Sequence, residues 1–422
     1  MKYKVIFFDS WKGGAHNYAR HLDTMAAADI DAFLLHLGSW GNEEHYEKEE
    51  YVGKLKARDI SYYTGAGFEE IIKREKPDLV LFLSIHTFAH RAFNRYCQKH
   101  NIPTILLYHG FIRVQDVDNN SKGAYKVNFL SYGMFILKRL PKMFRHTLPC
   151  YIRSIMRTNG GLDDYLAFFQ NIIDAFVKPA TFKVAKDSQT NRCLIYAGPD
   201  RIHARNVYGL KDEDIIEVGN PDLSAFGIND NDIGCRFKAN ANESDEVFYL
   251  DTALTAVGLI FKSEQEYLKF LSETNKVLMS KGKRLVLKPH PDTRKNYKAE
   301  DFEKAGIEVV ANADMIVRMR NAYAVLAEPT SLAIVPALMG LPLCLVAYDQ
   351  ASDLRYGQVL TSYPKSIMLT DINNIVDDTT RINKEDTEVR TQEWIQLNAG
   401  PLPAKEMPKR VVSVILDLIA RR

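Results

Sequence analysis

Short apolar runs that alternate with amphipathic segments constrain the fold of this chain more than any other feature of its sequence. Lys4–Phe8, Leu79–Leu83 and Thr104–Tyr108 are such runs, and helical patterns lie between them. A run without polar alternation is typical of a strand that is covered on both faces, as in a parallel sheet. Strands and helices that alternate at this pitch predict an α/β fold with a doubly wound sheet.

The same alternation begins again in the second half of the chain. Before it, residues 224–245 are rich in Asn, Asp and Gly, which is typical of a linker. We therefore expect a first domain over residues 1–225, a linker over 226–245, a second domain over 246–405 and a terminal helix over 406–422. A length of 422 residues fits two or three domains of about 150 residues each.

The charges balance over the whole chain but not locally. Lys plus Arg is 55 and Asp plus Glu is 53, so a formal net charge of +2 gives no global basic field for nucleic acid. Residues 119–162, however, contain eight Lys or Arg residues and no Asp or Glu. We expect a basic helical insertion over 122–180 in the first domain, broken at Pro141 and Pro149.

Apolar side chains interleave with these cations between residues 129 and 144. This pattern is typical of an interfacial helix that lies on anionic lipid. It predicts that an anionic membrane surface, or a polyanionic glycan, binds through residues 122–157. The alternative is a helical insertion whose basic face is only solvated.

Cysteine usage and the apolar runs indicate the compartment. The five cysteines, an odd number, show no metal-ligand spacing such as CxxC, which fits a reducing cytoplasm. The first apolar run ends at Asp9 and is too short for a signal peptide. No apolar run reaches the roughly 18 residues of a spanning helix. We expect a cytoplasmic protein, or one that is peripheral on the inner face of the cytoplasmic membrane.

Polar residues follow the first-domain strands at their carboxyl ends, where α/β sheets bind ligands. Asp9 follows the first run, and Gly13 and Gly14 precede a helix whose backbone N–H groups favour an anion. The spacing is not GxGxxG, so a dinucleotide site is not indicated, and an ordinary turn is the alternative. His109 follows the third run and is a candidate general base, or else a hydrogen-bonded structural residue.

The most specific motif of the chain is Lys288-Pro289-His290-Pro291, which follows the predicted strand Arg284–Leu287. Lys288 and His290 place a cation and an imidazole where a phosphate could bind. An imidazolium there can protonate a leaving phosphate oxygen. Pro291 helps to hold the ring at the tip of the strand.

A second motif, Glu328-Pro329-Thr330-Ser331, follows the predicted strand Ala324–Leu326. Thr330 or Ser331 can cap the next helix, whose first N–H groups can bind a phosphate together with these hydroxyls. The alternative is that both hydroxyls serve only as helix caps. Glu328, Thr330 and Ser331 are therefore candidates for the donor phosphate site.

Four of these features together resemble a known family. They are the His109-Gly110 pair, the Gly219-Asn220-Pro221 turn, the His-Pro motif and the hydroxyl pair. They resemble the GT-B glycosyltransferases of bacterial surface polysaccharides, through two groups: the sialyltransferases and polysialyltransferases, and the CDP-glycerol glycerophosphotransferases. The likeness covers residues 104–111 and 193–345. It implies two Rossmann-like doubly wound domains that face a cleft, with the acceptor on the first and the nucleotide donor on the second.

The resemblance also implies roles for single residues. In the sialyltransferase group the His of the His-Pro motif contacts the donor phosphate, which implies that role for His290. The hydroxyl pair of that group binds the same phosphate, which implies Thr330 and Ser331. In the glycerophosphotransferase group the His of the His-Gly pair is the base, which implies His109.

The sialyltransferases also have an acidic base, whose motif is not evident here, and Asp9 or Asp251 could fill that role. No DxD motif stands out near the predicted cleft, so we expect neither a metal nor a cofactor. The resemblance implies a glycosyltransferase that moves a sugar from a nucleotide-activated donor, a CMP-sugar by preference. The acceptor would be a glycan or lipid-linked glycan of capsule or lipopolysaccharide.

Three other functions fit the same residues. One is a polyol-phosphate transferase with a CDP-polyol donor, and another is an epimerase or hydrolase that acts on nucleotide sugars. The third is a polysaccharide-binding or assembly protein without activity.

Overall fold

A computed structural model gives the architecture of most of the chain. The described residues are 2–109, 140–177, 185–237, 244–252, 260–261, 263–290, 293, 299–348, 357–385 and 387–422. They form an α/β structure with two sheets, so the predicted fold class is confirmed.

Within these ranges the first sheet has eight strands. They are β1 (Tyr3–Asp9), β2 (Ile30–His36), β3 (Glu49–Val52), β4 (Leu55–Asp59), β5 (Leu79–Phe82), β6 (Thr104–Leu107), β7 (Arg192–Ile195) and β8 (Ile215–Glu217). Their order across the sheet is β3-β4-β2-β1-β5-β6-β7-β8. Neighbouring strands are parallel except β3 and β4, which are antiparallel.

The second sheet has six strands within the same ranges. They are β9 (Glu246–Leu250), β10 (Arg284–Lys288), β11 (Glu308–Val309), β12 (Ala324–Ala327), β13 (Leu343–Leu345) and β14 (Ser366–Met368). Their order is β11-β10-β9-β12-β13-β14, and every pair is parallel. Leu250 at the end of β9 pairs with Lys288 of β10 on one side and Ala327 of β12 on the other.

Helices and helical turns connect the strands. The helices are α1 (Ala15–Ala19), α2 (Leu22–Ala27), α3 (Phe68–Glu75), α4 (Phe88–Lys99), α5 (Leu148–Arg157), α6 (Leu162–Val177), α7 (Asp200–Tyr208), α8 (Pro221–Ala225), α9 (Glu264–Ser280), α10 (Ala299–Lys304), α11 (Asn312–Met319), α12 (Ile334–Met339), α13 (Gly357–Thr361), α14 (Ile375–Lys384), α15 (Glu388–Ala399) and α16 (Met407–Ala420). Among the described residues, no helix combines the length and the apolar character needed to cross a bilayer.

Strand β1 shows why its sequence is a continuous apolar run. Ile6 and Phe8 are fully buried in one hydrophobic cluster, whereas Val5 and Phe7 are fully buried in a second cluster on the other face. Because successive side chains point to opposite faces of a sheet, both faces of this strand are covered. The run without polar alternation therefore predicted a central parallel strand correctly.

The hairpin β3–β4 at the edge of the first sheet was not expected. Its strands carry charged side chains and half-buried positions, so they lack the continuous apolar run of the central strands. Gly53, with a φ of +62°, lies in the tight turn between them. The sequence signal for this hairpin was a Gly between two short segments in which polar and apolar residues alternate.

The described part of the predicted basic insertion is a helical hairpin that packs on α4. Arg91 of α4 donates to Asp187 at 2.7 Å and to the Tyr151 hydroxyl at 2.8 Å. Arg95 of α4 donates to Asp164 of α6 at 2.9 Å. These charge-assisted bonds fix α5 and α6 to the first domain.

The expected break at Pro149 was wrong, whereas the break at Pro141 stays a prediction because the residues before 140 lie outside the described part of the chain. Residues 140–157 are helical throughout, with a π-helical stretch, Met143–Thr147, directly before α5. Pro149 lies in the first turn of α5, directly after the π-helical stretch. The residues 122–139 and 178–180 of the predicted insertion lie outside the described residues.

The C-terminal segment returns to the first sheet. Val411 and Ile415 of α16 are buried in the same cluster as Val5 and Phe7 of β1. Gly400, with a φ of +69°, lies so close to Tyr196 that an added Cβ would be 2.2 Å from its carbonyl oxygen. The last helix is therefore built into the first domain, although it follows the second in sequence.

Candidate functional site

The second sheet brings three strand ends together. Because β9 lies between β10 and β12, the residues that follow these strands meet at one edge of the sheet. Asp251 follows β9, His290 follows β10 by two residues, and Glu328 follows β12. The sequence placed His290 and Glu328 after predicted strands, and the strand order makes them neighbours of Asp251.

Asp251 holds the backbone of the His-Pro motif. The N–H of His290 donates to Asp251 Oδ2 at 3.0 Å, and the N–H of Asp251 donates to the Lys288 carbonyl at 3.2 Å. Burial raises the pKa of Asp251, while Thr293 and His290 act in the opposite direction. Lys288 is buried, and its Nζ donates to the Pro289 carbonyl at 3.2 Å.

Glu328, directly after β12, is completely buried at this edge of the sheet. The Tyr249 hydroxyl donates to Glu328 Oε1 at 2.6 Å, and the N–H of Thr252 donates to Glu328 Oε2 at 3.0 Å. Burial, together with the charge of Asp251, raises the pKa of Glu328 to about 8. At neutral pH its carboxyl group therefore retains a proton, which avoids two adjacent buried negative charges.

Thr330 caps the turn that leads into α12. Its hydroxyl accepts from the N–H of Leu332 at 3.3 Å, and a 3-10 turn, Ser331–Ala333, precedes the helix. Thr330 and Ser331 are both half-buried. Pro291, which the sequence analysis included in the phosphate site, lies outside the described residues.

At the first sheet, Asp9 is mostly buried at the end of β1. The N–H of Ser10 donates to Asp9 Oδ1 at 2.6 Å, and His90 Nε2 lies 3.8 Å from the same oxygen. An added Cβ on Gly14 would lie 3.2 Å from Asp9 Oδ2, so this glycine lets the turn pass close to the carboxylate. Asp9 thus accepts from the N–H of its own turn, and the His90 ring of α4 lies close to it.

Gly13 makes room for an aromatic ring. A Cβ on Gly13 would lie 2.3 Å from the Trp11 ring, and Trp11 is 54 % exposed. Lys12, between them, donates to Glu50 at 2.7 Å. The loop therefore combines the exposed Trp11 ring with the Lys12 ammonium group, which is already paired with Glu50. Binding of a phosphate by Gly13 and Gly14 stays a prediction.

His109 is exposed at the end of β6, and one of its ring nitrogens is fixed. His109 Nδ1 lies 3.1 Å from the Leu83 carbonyl oxygen. Because a carbonyl can only accept, Nδ1 carries the hydrogen, and in the neutral ring the lone pair is on Nε2. The geometry therefore fits a base that takes up a proton at Nε2.

Asp222 and Arg20 form a further charged pair in the structure. Arg20 lies 3.7 Å from Asp222 Oδ1. Burial raises the pKa of Asp222, whereas the charges of Arg20, His16 and His109 lower it. The sequence suggested only a turn former at Asp222, since its place after the Gly-Asn-Pro turn carries no signal for its spatial neighbours.

Other histidines near the strand ends have structural partners. His86 Nε2 lies 2.8 Å from the Tyr208 hydroxyl, and His203 Nδ1 lies 2.6 Å from the Tyr108 hydroxyl. Within the described ranges, no three His, Cys, Asp or Glu side chains are grouped as metal ligands would be.

Comparison with known proteins supports the fold. No protein-family model matches the sequence, and no curated protein matches it. The solved wall teichoic acid polymerase TagF matches with a TM-score of 0.54 and 14 % identity, over 100 % of this chain and 90 % of that chain. The calicheamicin glycosyltransferase CalG4 matches with a TM-score of 0.51 and 11 % identity, over 100 % and 99 %. At such identity the likeness shows the fold alone, which is of the GT-B type.

Proposed function

We propose that this protein is a glycosyltransferase of the GT-B type that moves a sugar from a nucleotide-activated donor to a glycan hydroxyl. The observation that carries the proposal is the convergence of Asp251, Lys288, His290 and Glu328 at one edge of the second sheet. A cation and an imidazole there suit the phosphate of a donor. The fold shared with CalG4 and TagF is consistent with it.

On the donor side, the departing phosphate gains negative charge. Lys288 is nearly removed from water, so its charge acts in a low-dielectric setting and is screened less than a surface cation. His290 would contact the same phosphate, with its backbone held by Asp251. Thr330 and Ser331 would add hydroxyl donors, and Glu328 would support the edge from below rather than touch the donor.

On the acceptor side, His109 would take the proton of the attacking hydroxyl at Nε2. The Leu83 carbonyl holds the ring in the tautomer that this step needs. Asp9 and Asp251, the acidic alternatives, already accept backbone N–H groups and are buried. His109 is therefore the base that we favour.

The variant His290→Ala tests this proposal. We expect turnover to fall by at least about 100-fold, with little change in melting temperature, because general acid catalysis contributes factors of that order. His45→Ala, at an exposed histidine, is the matched control and should keep wild-type turnover. Near-normal turnover of His290→Ala would contradict the assignment.

A panel of nucleotides identifies the donor. CMP, CDP, UDP and GDP are added separately, and the nucleotide of the true donor should raise the melting temperature, since it binds only the folded state. A sugar donor predicts a shift with CMP by preference. No shift with any nucleotide would contradict a nucleotide-dependent transferase.

A second candidate function is transfer of a polyol phosphate from a CDP-polyol. It is favoured by the TM-score of 0.54 with a wall teichoic acid polymerase and by the His109-Gly110 pair. The product separates the two functions, because polyol-phosphate transfer releases CMP from a CDP-linked donor and adds phosphorus to the acceptor. Release of free nucleotide without any acceptor would instead indicate an epimerase or hydrolase.

An anionic membrane is the partner that we propose for the helical hairpin α5–α6. The hairpin and the π-helical stretch before it carry exposed apolar side chains: Phe144 63 %, Met156 65 %, Leu162 74 %, Leu166 57 %, Phe169 58 % and Ile173 55 %. Exposed Arg145 and Arg153 accompany them. Apolar groups beside cations suit the interface of a bilayer that carries negative headgroups.

Flotation with vesicles tests this partner. We expect the protein to float with vesicles that contain anionic lipid and not with neutral ones. Phe169→Asp should abolish flotation, whereas Val389→Asp, at an equally exposed position of α15, should not. Equal behaviour of the two variants would contradict a role for this surface, and binding to a polyanionic glycan without lipid would identify the other predicted partner.

A further inference from the structure

Trp11 is an exposed aromatic side chain at the carboxyl edge of the first sheet. It follows β1 by two residues, and 54 % of its surface is exposed. A Trp side chain combines a wide apolar face with an N–H donor, and most of its surface is usually buried in a folded protein. An exposed Trp at the edge where α/β sheets bind their ligands is therefore a candidate for ligand contact.

One face of the Trp11 ring lies over the backbone of Gly13. An added Cβ on Gly13 would lie 2.3 Å from Cζ3 of the ring, 2.5 Å from Cη2 and 2.6 Å from Cε3. Three consecutive ring atoms are at nearly equal distances from an outside atom only when that atom lies above the plane of the ring. The indole therefore rests flat against the glycine, and its opposite face points away from this backbone.

The loop that carries Trp11 is fastened through its next residue, Lys12. The backbone N–H of Lys12 donates to Glu43, and its Nζ donates to Glu50 of β3 at 2.7 Å. Lys12 is thus fixed at both its backbone and its side chain, which limits the motion of the neighbouring ring. A ring that is already ordered loses less entropy when a ligand binds to it.

The same loop lies beside the residue that holds His109. An added Cβ on Gly14 would lie 3.3 Å from Cδ1 of Leu83, and the Leu83 carbonyl oxygen lies 3.1 Å from His109 Nδ1. Strand β5 separates β1 from β6 in the sheet, so the ends of these two strands are about 10 Å apart. The loop of Trp11 and the proposed base therefore lie on either side of Leu83, at a separation that one or two sugar rings can span.

We propose that Trp11 is a binding platform for a pyranose ring of the acceptor glycan. The inference rests on the proposed function and adds a binding residue to it. The C–H groups on one face of a pyranose ring carry a partial positive charge, which the negative face of an aromatic ring attracts. The indole N–H can donate to a hydroxyl of the same sugar. Trp11 holds the acceptor near His109 and takes no part in proton transfer.

The first test is fluorine NMR of the full chain labelled with fluorotryptophan. The chain has three Trp residues, of which Trp40 is half-buried and Trp394 is buried, and the signal missing from Trp11→Leu identifies Trp11. The probes are the methyl glycosides of glucose, galactose and N-acetylglucosamine, and the acyclic polyol sorbitol is the control. We expect at least one glycoside to shift the Trp11 signal and sorbitol to leave it in place. No shift with any of the three glycosides would overturn the proposal, and so would an equal shift with sorbitol.

The second test measures the affinity for the glycoside that gives the largest shift, by saturation-transfer NMR on the ligand. Trp11→Leu should weaken its binding about tenfold, since stacking on an aromatic ring is worth on the order of 1 kcal/mol beyond the area it buries. Tyr51→Leu, at a 67 % exposed aromatic position of β3, is the matched control and should bind as the wild type does. Equal affinities of Trp11→Leu and the wild type would overturn the proposal.

A glycine variant tests the orientation of the ring. In Gly13→Ala the added Cβ takes the space under the indole and displaces it, so binding should weaken as in Trp11→Leu. Gly161→Ala, where an added Cβ meets no atom, should bind normally. Melting temperatures of both variants separate a displaced ring from a damaged fold. Wild-type affinity in a folded Gly13→Ala would refute the platform geometry.

This inference and the proposed function fail on different results. If the glycosides bind through Trp11 but no nucleotide raises the melting temperature, the proposed function fails and the sugar-binding site remains. If a nucleotide binds but no glycoside does, the platform alone fails. A Trp11 signal that responds only to a nucleotide would assign the ring to the donor base, and one that responds only to anionic vesicles would assign it to the membrane. Either result would overturn the inference.

Discussion

The buried carboxyl group of Glu328 makes a quantitative prediction. With a folded-state pKa of about 8 and an ordinary value of 4.5, the folded protein retains a proton between these pH values that the unfolded chain has lost. The free energy of unfolding therefore falls as pH rises through this window, by about 1.4 kcal/mol per pH unit. Over the whole window the loss is on the order of 5 kcal/mol.

The variant Glu328→Gln isolates this contribution. Glutamine is uncharged at every pH and can keep both contacts, since its carbonyl can accept from Thr252 and its amide can donate to the Tyr249 hydroxyl. Wild type and variant are unfolded with urea at intervals from pH 5 to pH 8.5. The stability of the wild type minus that of the variant should decrease steadily over this range.

The comparison at each pH removes the contribution of groups that do not interact with Glu328. Asp251 does interact with it, since its charge helps to raise the pKa of Glu328, so the difference reports the two carboxyl groups together. Glu303→Gln, at an exposed position of α10, should run parallel to the wild type. A difference between wild type and Glu328→Gln that is constant from pH 5 to pH 8.5 would refute the protonated carboxyl, and with it the account of this edge of the sheet.

Two further predictions concern stability away from the site. Gly400→Ala should lower the free energy of unfolding by several kcal/mol in urea unfolding, since the added Cβ meets the Tyr196 carbonyl at a φ of +69°. Gly282→Ala is the matched control, because Gly282 has a φ of +70° but lies in open space, and this variant should cost only about 1 kcal/mol. A hydrogen bond from Lys99 lowers the pKa of Glu69 to about 2. The stability that Glu69 contributes should therefore be present above pH 4.5 and be lost as the pH falls toward 2. Glu69→Gln should therefore destabilise the protein at pH 7 and have little effect at pH 2.5, and equal effects at both would refute this.

The central strands could be read from the sequence because their physical requirement is local. A strand that is covered on both faces needs an apolar residue at every position, and β5 follows the predicted run Leu79–Leu83 to within one residue. The start of α9 depends on an equally local signal, because Ser263 precedes Glu266 by three residues and its hydroxyl accepts from the N–H of Glu266. The edge hairpin β3–β4 has no such requirement and was missed.

The candidate site depends on strand order, which the sequence does not encode locally. Asp251, His290 and Glu328 each follow a strand that the pattern predicts, but only the order β10-β9-β12 makes them neighbours. The burial of Glu328 could not be foreseen either, since its partner Tyr249 lies within an apolar run. A carboxyl group after a strand predicts a polar edge, and its protonation follows only from the packing.

The C-terminal helix packs on the first sheet and holds one of its turns. Its apolar face packs on the sheet that carries His109, and its Arg410 holds the turn that carries Asp222. Arg410→Ala removes three hydrogen bonds to backbone carbonyls, each worth about 1 kcal/mol or more for a charged donor. This variant should therefore lower the free energy of unfolding by roughly 3 kcal/mol in urea unfolding. An unchanged free energy of unfolding would contradict the role of Arg410 in holding this turn to the C-terminal segment.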